Sequence, residues 1–286
     1  MQIKRVAVIG CGTMGGGVAQ VAAQRGYEVV VVEKDADAAE AGQQRITAGL
    51  DRQLGRGRIT ADDKRAALDK LRFGTDLESI TEADLVVEAV FEDVELKTSL
   101  LARIDRIVGP DTLIGSNTST IPLVILAGAT RRPEAIVGLH FFNPVPVMKL
   151  VEVIKTPISL PANVESFVAF ARDLGKTPVV INDVPGFVGN LLVVPFLLDA
   201  IRAFERGVAP KESIDEVLQL GFNHRMGPFK LADLIGLDIV HDMAASMYEE
   251  YKDPRYFPPP LLKQYVRLGW LGQKTGRGFY TYDGGQ

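Results

Sequence analysis

The stretch AVIGCGTMGGGVAQVAAQRGYEVVVVEKD, Ala7 to Asp35, decides the fold. Its two ends are apolar runs of strand length, and the segment between them has helical spacing. Gly10, Gly12 and Gly15 form G-x-G-x-x-G at the end of the first strand and the mouth of the helix. Bare backbone amides and the positive end of a helix dipole can hold a pyrophosphate there. The glycines alone would be weak grounds. The second strand, however, ends in Glu33, 33 − 15 = 18 residues past the last glycine, where an acid can bind the hydroxyls of an adenosine ribose. A tight glycine turn without a ligand needs neither the second strand nor the acid. Glu33 also favours NAD over NADP, because a carboxylate repels a 2'-phosphate, and Lys34 beside it opposes this weakly.

Outward from this unit, the runs RVAVIG, YEVVVVE, ADLVVEAV, DTLIGSN, AIVGLHFF, KLVEVI and TPVVIND alternate with helical segments such as Val94 to Val108. That rhythm indicates an α/β layered domain. After NDVPGF the strands stop. From Phe187 the spacing is helical through FVGNLLVVPFLLDAIRAFERG, KESIDEVLQLG, GPFKLADLIGLDIVHDMAASMYEEY and PPLLKQYVRLGWLG, broken at Gly and Pro. The chain therefore reads as a Rossmann-type NAD-binding domain over residues 1–184 followed by a smaller all-helical domain over 185–286. Pro195, inside a helical pattern, predicts a kink.

The 286 residues, 47% hydrophobic, suffice for two ordinary cores. A net charge of −4 from 32 basic and 36 acidic residues gives no blanket attraction for nucleic acid or anionic membrane. Cys11 is the single cysteine, so no internal disulfide and no thiolate metal cluster can form. Strand alternation starts almost at the first residue, which predicts no signal peptide and a cytoplasmic address. The most apolar run, Leu191 to Leu198, is far short of the roughly 20 residues that span a bilayer. Small molecules are the expected partners, and no metal is called for.

A second stretch, GLHFFNPVPVMKLVEVI, Gly138 to Ile154, carries the chemistry. If its two apolar runs form a hairpin symmetric about Pro146, His140 and Glu152 stand six residues on either side and oppose each other directly. A carboxylate beside a buried imidazole fixes one tautomer and supports the charged form, which suits a general acid/base. A core histidine satisfied by a carbonyl, with Glu152 on an exposed edge, is the blander reading. The dinucleotide motif favours the catalytic pair.

With GCGTMG, SNTST, PGFVGN, MGPFKLADLIGLD and KTGRGFY, this stretch resembles, in order and spacing, the 3-hydroxyacyl-CoA dehydrogenases, above all the short bacterial 3-hydroxybutyryl-CoA dehydrogenases. The resemblance covers nearly the whole chain. It implies NAD as cofactor, an acyl-CoA substrate in a cleft between the domains, and a homodimer through the helical domain. His140 then matches the acid/base and Glu152 its charge partner. Ser119 matches the serine on the substrate's 3-oxygen, Asn190 an asparagine from the second domain, and Asn143 a contact to cofactor or thioester. Thr13 and Met14 belong with the three glycines to the cofactor loop. Glu92, Lys97 and Lys274 fall where similar enzymes contact NAD, while His224 and His241 match nothing catalytic.

The chain departs from the family in three places. Gly49 and Arg56 stand where a serine and a lysine contact the coenzyme A nucleotide. Arg56, with Arg52 and Arg58, can bind a phosphate, but the neutral hydrogen bond is lost. Leu191 follows Asn190 where an arginine is usual, and Phe257 replaces a basic residue. Two other functions share parts of the pattern. One is a dehydrogenase of a free hydroxy acid, which would commonly use a catalytic lysine, and the other is a non-catalytic NAD-binding protein.

Overall fold

The structure, a computed structural model, describes residues 3–282. Their contacts divide the chain after Val184 into two compact units.

The first unit is built on one eight-stranded sheet. Its strands are β1 Arg5–Ile9, β2 Glu28–Val32, β3 Leu71–Gly74, β4 Leu85–Glu88, β5 Leu113–Ser116, β6 Ile136–Phe141, β7 Leu150–Lys155 and β8 Thr177–Asn182, in the order β3-β2-β1-β4-β5-β6-β7-β8. The strands from β3 to β6 are parallel, β7 runs antiparallel to β6, and β8 runs parallel to β7. Parallel strands need crossovers, which here are the helices α1 Thr13–Gln24, α2 Ala36–Gly55, α3 Ala61–Asp69, α4 Val94–Ile107, α5 Leu123–Gly128 and α6 Pro161–Asp173. Central strands carry continuous apolar runs because both faces are covered; all six residues of β6 are buried. Pro178 sits in β8, an edge strand, where its missing N–H costs no ladder bond.

Because these strands are parallel, the loops after β1, β2, β4, β5 and β6 share one edge, and the order in which strands are added reverses between β1 and β4. In parallel α/β sheets ligands bind at that carboxyl edge, at the point of reversal.

The second unit is helical: α7 Gly189–Glu205, α8 Lys211–Phe222, α9 Pro228–Ile235, α10 Leu237–Tyr251 and α11 Pro260–Arg267. The third helical segment of the sequence is two helices, broken at Gly236 with φ +106°. Helix α7 continues through Pro195, which is buried within it. Its buried face packs against α9 and α10 of the same unit, while Leu192 stays exposed.

Two buried carboxylates tie down the end of this unit. Asp233 accepts from the amides of Phe279 at 2.9 Å and Tyr280 at 2.8 Å and from the Tyr282 hydroxyl at 2.9 Å. Asp215 accepts from the Phe229 amide at 2.8 Å and the Tyr280 hydroxyl at 2.9 Å. Gly272 and Gly278 lie so close that a Cβ on either would collide with Asp233. Hence Gly278 of KTGRGFY, and Gly272 just ahead of that motif, are demanded by packing. Burial raises the Asp233 carboxyl pKa despite these donors.

Candidate active site

The glycine loop is built by two close approaches and one opening. Gly10 has φ +89°, and a Cβ there would stand 2.8 Å from the Ala89 carbonyl oxygen. A Cβ on Gly15 would lie 1.8 Å from the Gly10 oxygen. At Gly12 nothing lies within 4 Å, and no side chain caps α1, which starts at Thr13. Uncapped amides at a helix N-terminus beside open space fit a pyrophosphate. Glu33 is half-buried at the end of β2, where its carboxylate accepts from the Cys11 and Lys34 amides. Arg45, from α2, donates to the Cys11 carbonyl at 2.7 Å. The residues fit a dinucleotide, and Thr13, Met14 and Glu33 would hold it with the glycines.

The hairpin has the symmetric register, with His140 paired to Glu152. His140 Nδ1 and Glu152 Oε2 are 2.7 Å apart, and both residues are buried. A carboxylate can only accept, so Nδ1 carries the proton. When the ring is neutral, the lone pair of Nε2 thus faces Ser119 Oγ, 3.1 Å away. Asn117 secures this end of the sheet: its side-chain oxygen accepts from the Phe141 amide at 2.9 Å, and its own amide donates to the Glu88 carbonyl at 2.8 Å. Lys176 holds the turn of the hairpin by donating to the carbonyls of Val145 and Met148.

Glu92 and Lys97 meet each other with a third residue, Glu88. Lys97 is fully buried, with Nζ 2.7 Å from Glu88 Oε1 and 3.2 Å from Glu92 Oε2. Burial works against ionised Glu92, but the Lys97 ammonium, the Thr118 hydroxyl and two backbone amides outweigh it and hold its carboxyl below the usual range. Lys97 therefore stands beneath the loop rather than on its surface.

Asn143 is exposed on the hairpin turn. It borders a cavity of about 290 Å³ with Arg45, Arg52, Arg56, Arg58 and Gln20, and no carboxylate lines this cavity. Gly49 lines it too, where a Cβ would come 2.5 Å from Gln20 Oε1. The space left by glycine is filled by the Gln20 side-chain amide. Asn190, buried in the first turn of α7, and Lys274, with Nζ 2.6 Å from Asp238, belong to the second unit.

Sequence reasoning singled out neither Glu88 nor Gln20. Glu88 ends an apolar strand and was hidden in its run, while Gln20 lies on a helix whose role was set by its glycines. The remaining histidines are local: His224 lies against Phe196 after α8, and His241 pairs with Asp242.

Sequence models of the 3-hydroxyacyl-CoA dehydrogenase family match both units: the NAD binding domain over residues 5–184 and the C-terminal domain over residues 186–282. The chain belongs to this family. It is an NAD-dependent oxidoreductase of the Rossmann type with a helical C-terminal domain. Among its relatives is a 3-hydroxybutyryl-CoA dehydrogenase of Mycobacterium tuberculosis, 46% identical over 98% of this chain and 99% of that one. The crystal structure of M. tuberculosis FadB2 superposes with a TM-score of 0.96 at 46% identity, covering 99% of this chain and all of the other. That of (S)-3-hydroxybutyryl-CoA dehydrogenase PaaH1 from Ralstonia eutropha gives 0.93 at 40% identity, with 99% and 100% covered. Among the described residues of this dehydrogenase no helix is long and apolar enough to cross a membrane, and no group of side chains could hold a metal ion.

Proposed function

We propose that the enzyme interconverts (S)-3-hydroxyacyl-CoA and 3-oxoacyl-CoA of short chain, 3-hydroxybutyryl-CoA and acetoacetyl-CoA first, with His140 as acid/base. The observation that carries this is the line Ser119 Oγ, His140 Nε2, His140 Nδ1, Glu152 Oε2, with steps of 3.1 Å and 2.7 Å. When bound, NAD supplies the acceptor for the hydride that leaves C3. Nε2 of neutral His140 takes the proton of the 3-hydroxyl, Glu152 stabilises the imidazolium, and Ser119 Oγ donates to the developing carbonyl oxygen. In reduction the imidazolium returns its proton to the ketone oxygen.

Arg52 and Arg56 bind the phosphates of the coenzyme A nucleotide in this reading, supported by a carboxylate-free cavity that carries four arginines. Short-chain preference is supported by the names of the full-length relatives. Glu92, Ser119, Asn143 and Lys274 contact the cofactor, and Asn190 the substrate, as the family resemblance gives it; alanine variants of each test these roles singly. The enzyme acts as a cytoplasmic homodimer through its helical domain. In support, α8 and the turn before it expose Val208, Val217, Leu220 and Phe222, at 70%, 57%, 79% and 69%.

The test is loss of NADH absorbance with acetoacetyl-CoA, 3-oxohexanoyl-CoA and free acetoacetate compared. Fastest turnover is expected with acetoacetyl-CoA. Preference for the free acid would replace this reading by that of a hydroxy-acid dehydrogenase, and no turnover of any of the three by that of a non-catalytic NAD-binding protein.

A further inference from the structure

Beneath the Ser119 loop lies a buried ionic group that the proton and hydride transfers do not call on. Glu88, the last residue of β4, is 0% exposed. One of its carboxylate oxygens accepts from Lys97 Nζ at 2.7 Å and from the Val90 amide at 2.8 Å; the other accepts from Ser116 Oγ at 2.6 Å.

Two arms run from this carboxylate to the catalytic serine. Along the first, Lys97 reaches Glu92 Oε2 at 3.2 Å, and Glu92 Oε1 accepts from the Thr118 hydroxyl at 2.6 Å and from the amides of Ser119 at 2.7 Å and Thr120 at 3.0 Å. Along the second, Ser116 Oγ, held by Glu88, accepts from the Thr118 amide at 3.3 Å. Both arms end on the backbone that carries Ser119, whose hydroxyl stands 3.1 Å from His140 Nε2.

Stability gives this arrangement no obvious reason. Desolvating a carboxylate and an ammonium together costs several kcal/mol per ion, and well-packed apolar residues in their place are often neutral or better. What such a network offers is a fixed geometry, since each member is held by its neighbours.

We propose that Glu88 is a positioning residue for the dehydrogenase reaction: through Lys97 and Glu92 on one side and Ser116 on the other, it sets where the Ser119 hydroxyl stands against His140. The proposal rests on the roles given above to Ser119 and His140. A displacement of reacting groups by about 1 Å costs on the order of 100-fold in rate, so the effect belongs in kcat.

The experiment is a double-mutant cycle between Glu88→Gln and Ser119→Ala, with kcat for acetoacetyl-CoA reduction and Tm measured on all four proteins. Glu88→Gln keeps the shape and removes the charge that holds Lys97. Expected are a fall in kcat of about 10- to 100-fold for Glu88→Gln, a fall for Ser119→Ala, and a double variant no slower than Ser119→Ala alone. A merely structural Glu88 would lower Tm while leaving kcat of the folded protein unchanged, or would multiply with Ser119→Ala; either result overturns the proposal. If Ser119→Ala itself kept the parent kcat, the role given to Ser119 would fall first and this inference with it. Should Glu88→Gln not fold, Glu88→Asp, which keeps the charge beside Lys97 and withdraws the carboxylate by one methylene, takes its place in the cycle, with the same expected and overturning results.

Discussion

At the scale of single residues, the site depends on which groups can donate and which can only accept. Glu152 offers His140 Nδ1 nothing but an acceptor, and this alone directs the lone pair of Nε2 at Ser119. Glu152→Gln keeps the size but lets the amide present either end. We expect kcat to fall by about 10²- to 10⁴-fold with NADH affinity within about twofold, read from steady-state rates and a fluorescence titration. Near-parent turnover would show the carboxylate to be dispensable. This pair was legible in the sequence because a hairpin about Pro146 has only one symmetric register. Glu88 and Lys97 were not, since a glutamate ending a strand and a lysine nine residues later become neighbours only once α4 packs back on the sheet. Cys11 gives a second test. Burial, with Glu33 adding and Arg45 opposing, pushes its thiol from 9.0 up to about 12. The folded protein should thus resist iodoacetamide at pH 8 and react once unfolded in urea. Between 9.0 and about 12 the unfolded thiol has lost its proton while the folded one keeps it, so this group's contribution to stability falls as pH rises through that window.

At the scale of elements, the turn between β1 and α1 separates packing from binding. Gly15→Ala would drive a Cβ into the Gly10 carbonyl, whereas Gly12→Ala adds a methyl to open space. Gly15→Ala is expected to lower Tm by several degrees through strain costing about 1–3 kcal/mol. Gly12→Ala should leave Tm unchanged and weaken NADH by about tenfold or more in calorimetry. Equal NADH affinity in Gly12→Ala and the parent protein would place the pyrophosphate elsewhere. The glycine motif and seven strands stood out in the sequence because each long run had one period. Strand β3 did not, for LRFG, Leu71 to Gly74, is four residues with no alternation to read, and it is a strand only because β2 offers it a partner. The break at Gly236 was equally silent, since apolar spacing continues across it from α9 into α10.

At the scale of the whole molecule, the exposed apolar residues of α8 set the expectation for assembly. Leu220 and Phe222, at 79% and 69%, are costly to leave in water, each worth about 1.5–3 kcal/mol when fully buried. Leu220→Asp/Phe222→Asp should convert a dimer into a monomer of 31.1 kDa by light scattering at micromolar concentration, with the far-UV spectrum unchanged. A parent protein already monomeric there would remove the dimer from the proposal. The division into strands then helices was plain in the sequence, but how the apolar stretch Leu191 to Leu198 is covered was not: Val194, Leu197 and Leu198 are buried within their own unit, while Leu192 is 64% exposed. The latch on Asp233 and Asp215 carries a consequence for proteolysis. Lys274 and Arg277 are exposed, yet the residues just beyond them, Phe279, Tyr280 and Tyr282, supply most of the donors to two buried acids. A single tryptic cut after Arg277 would separate Asp233 from all three of these residues and Asp215 from the Tyr280 hydroxyl. The helical unit would then open far from the nick, and its remaining lysines and arginines would be digested in quick succession.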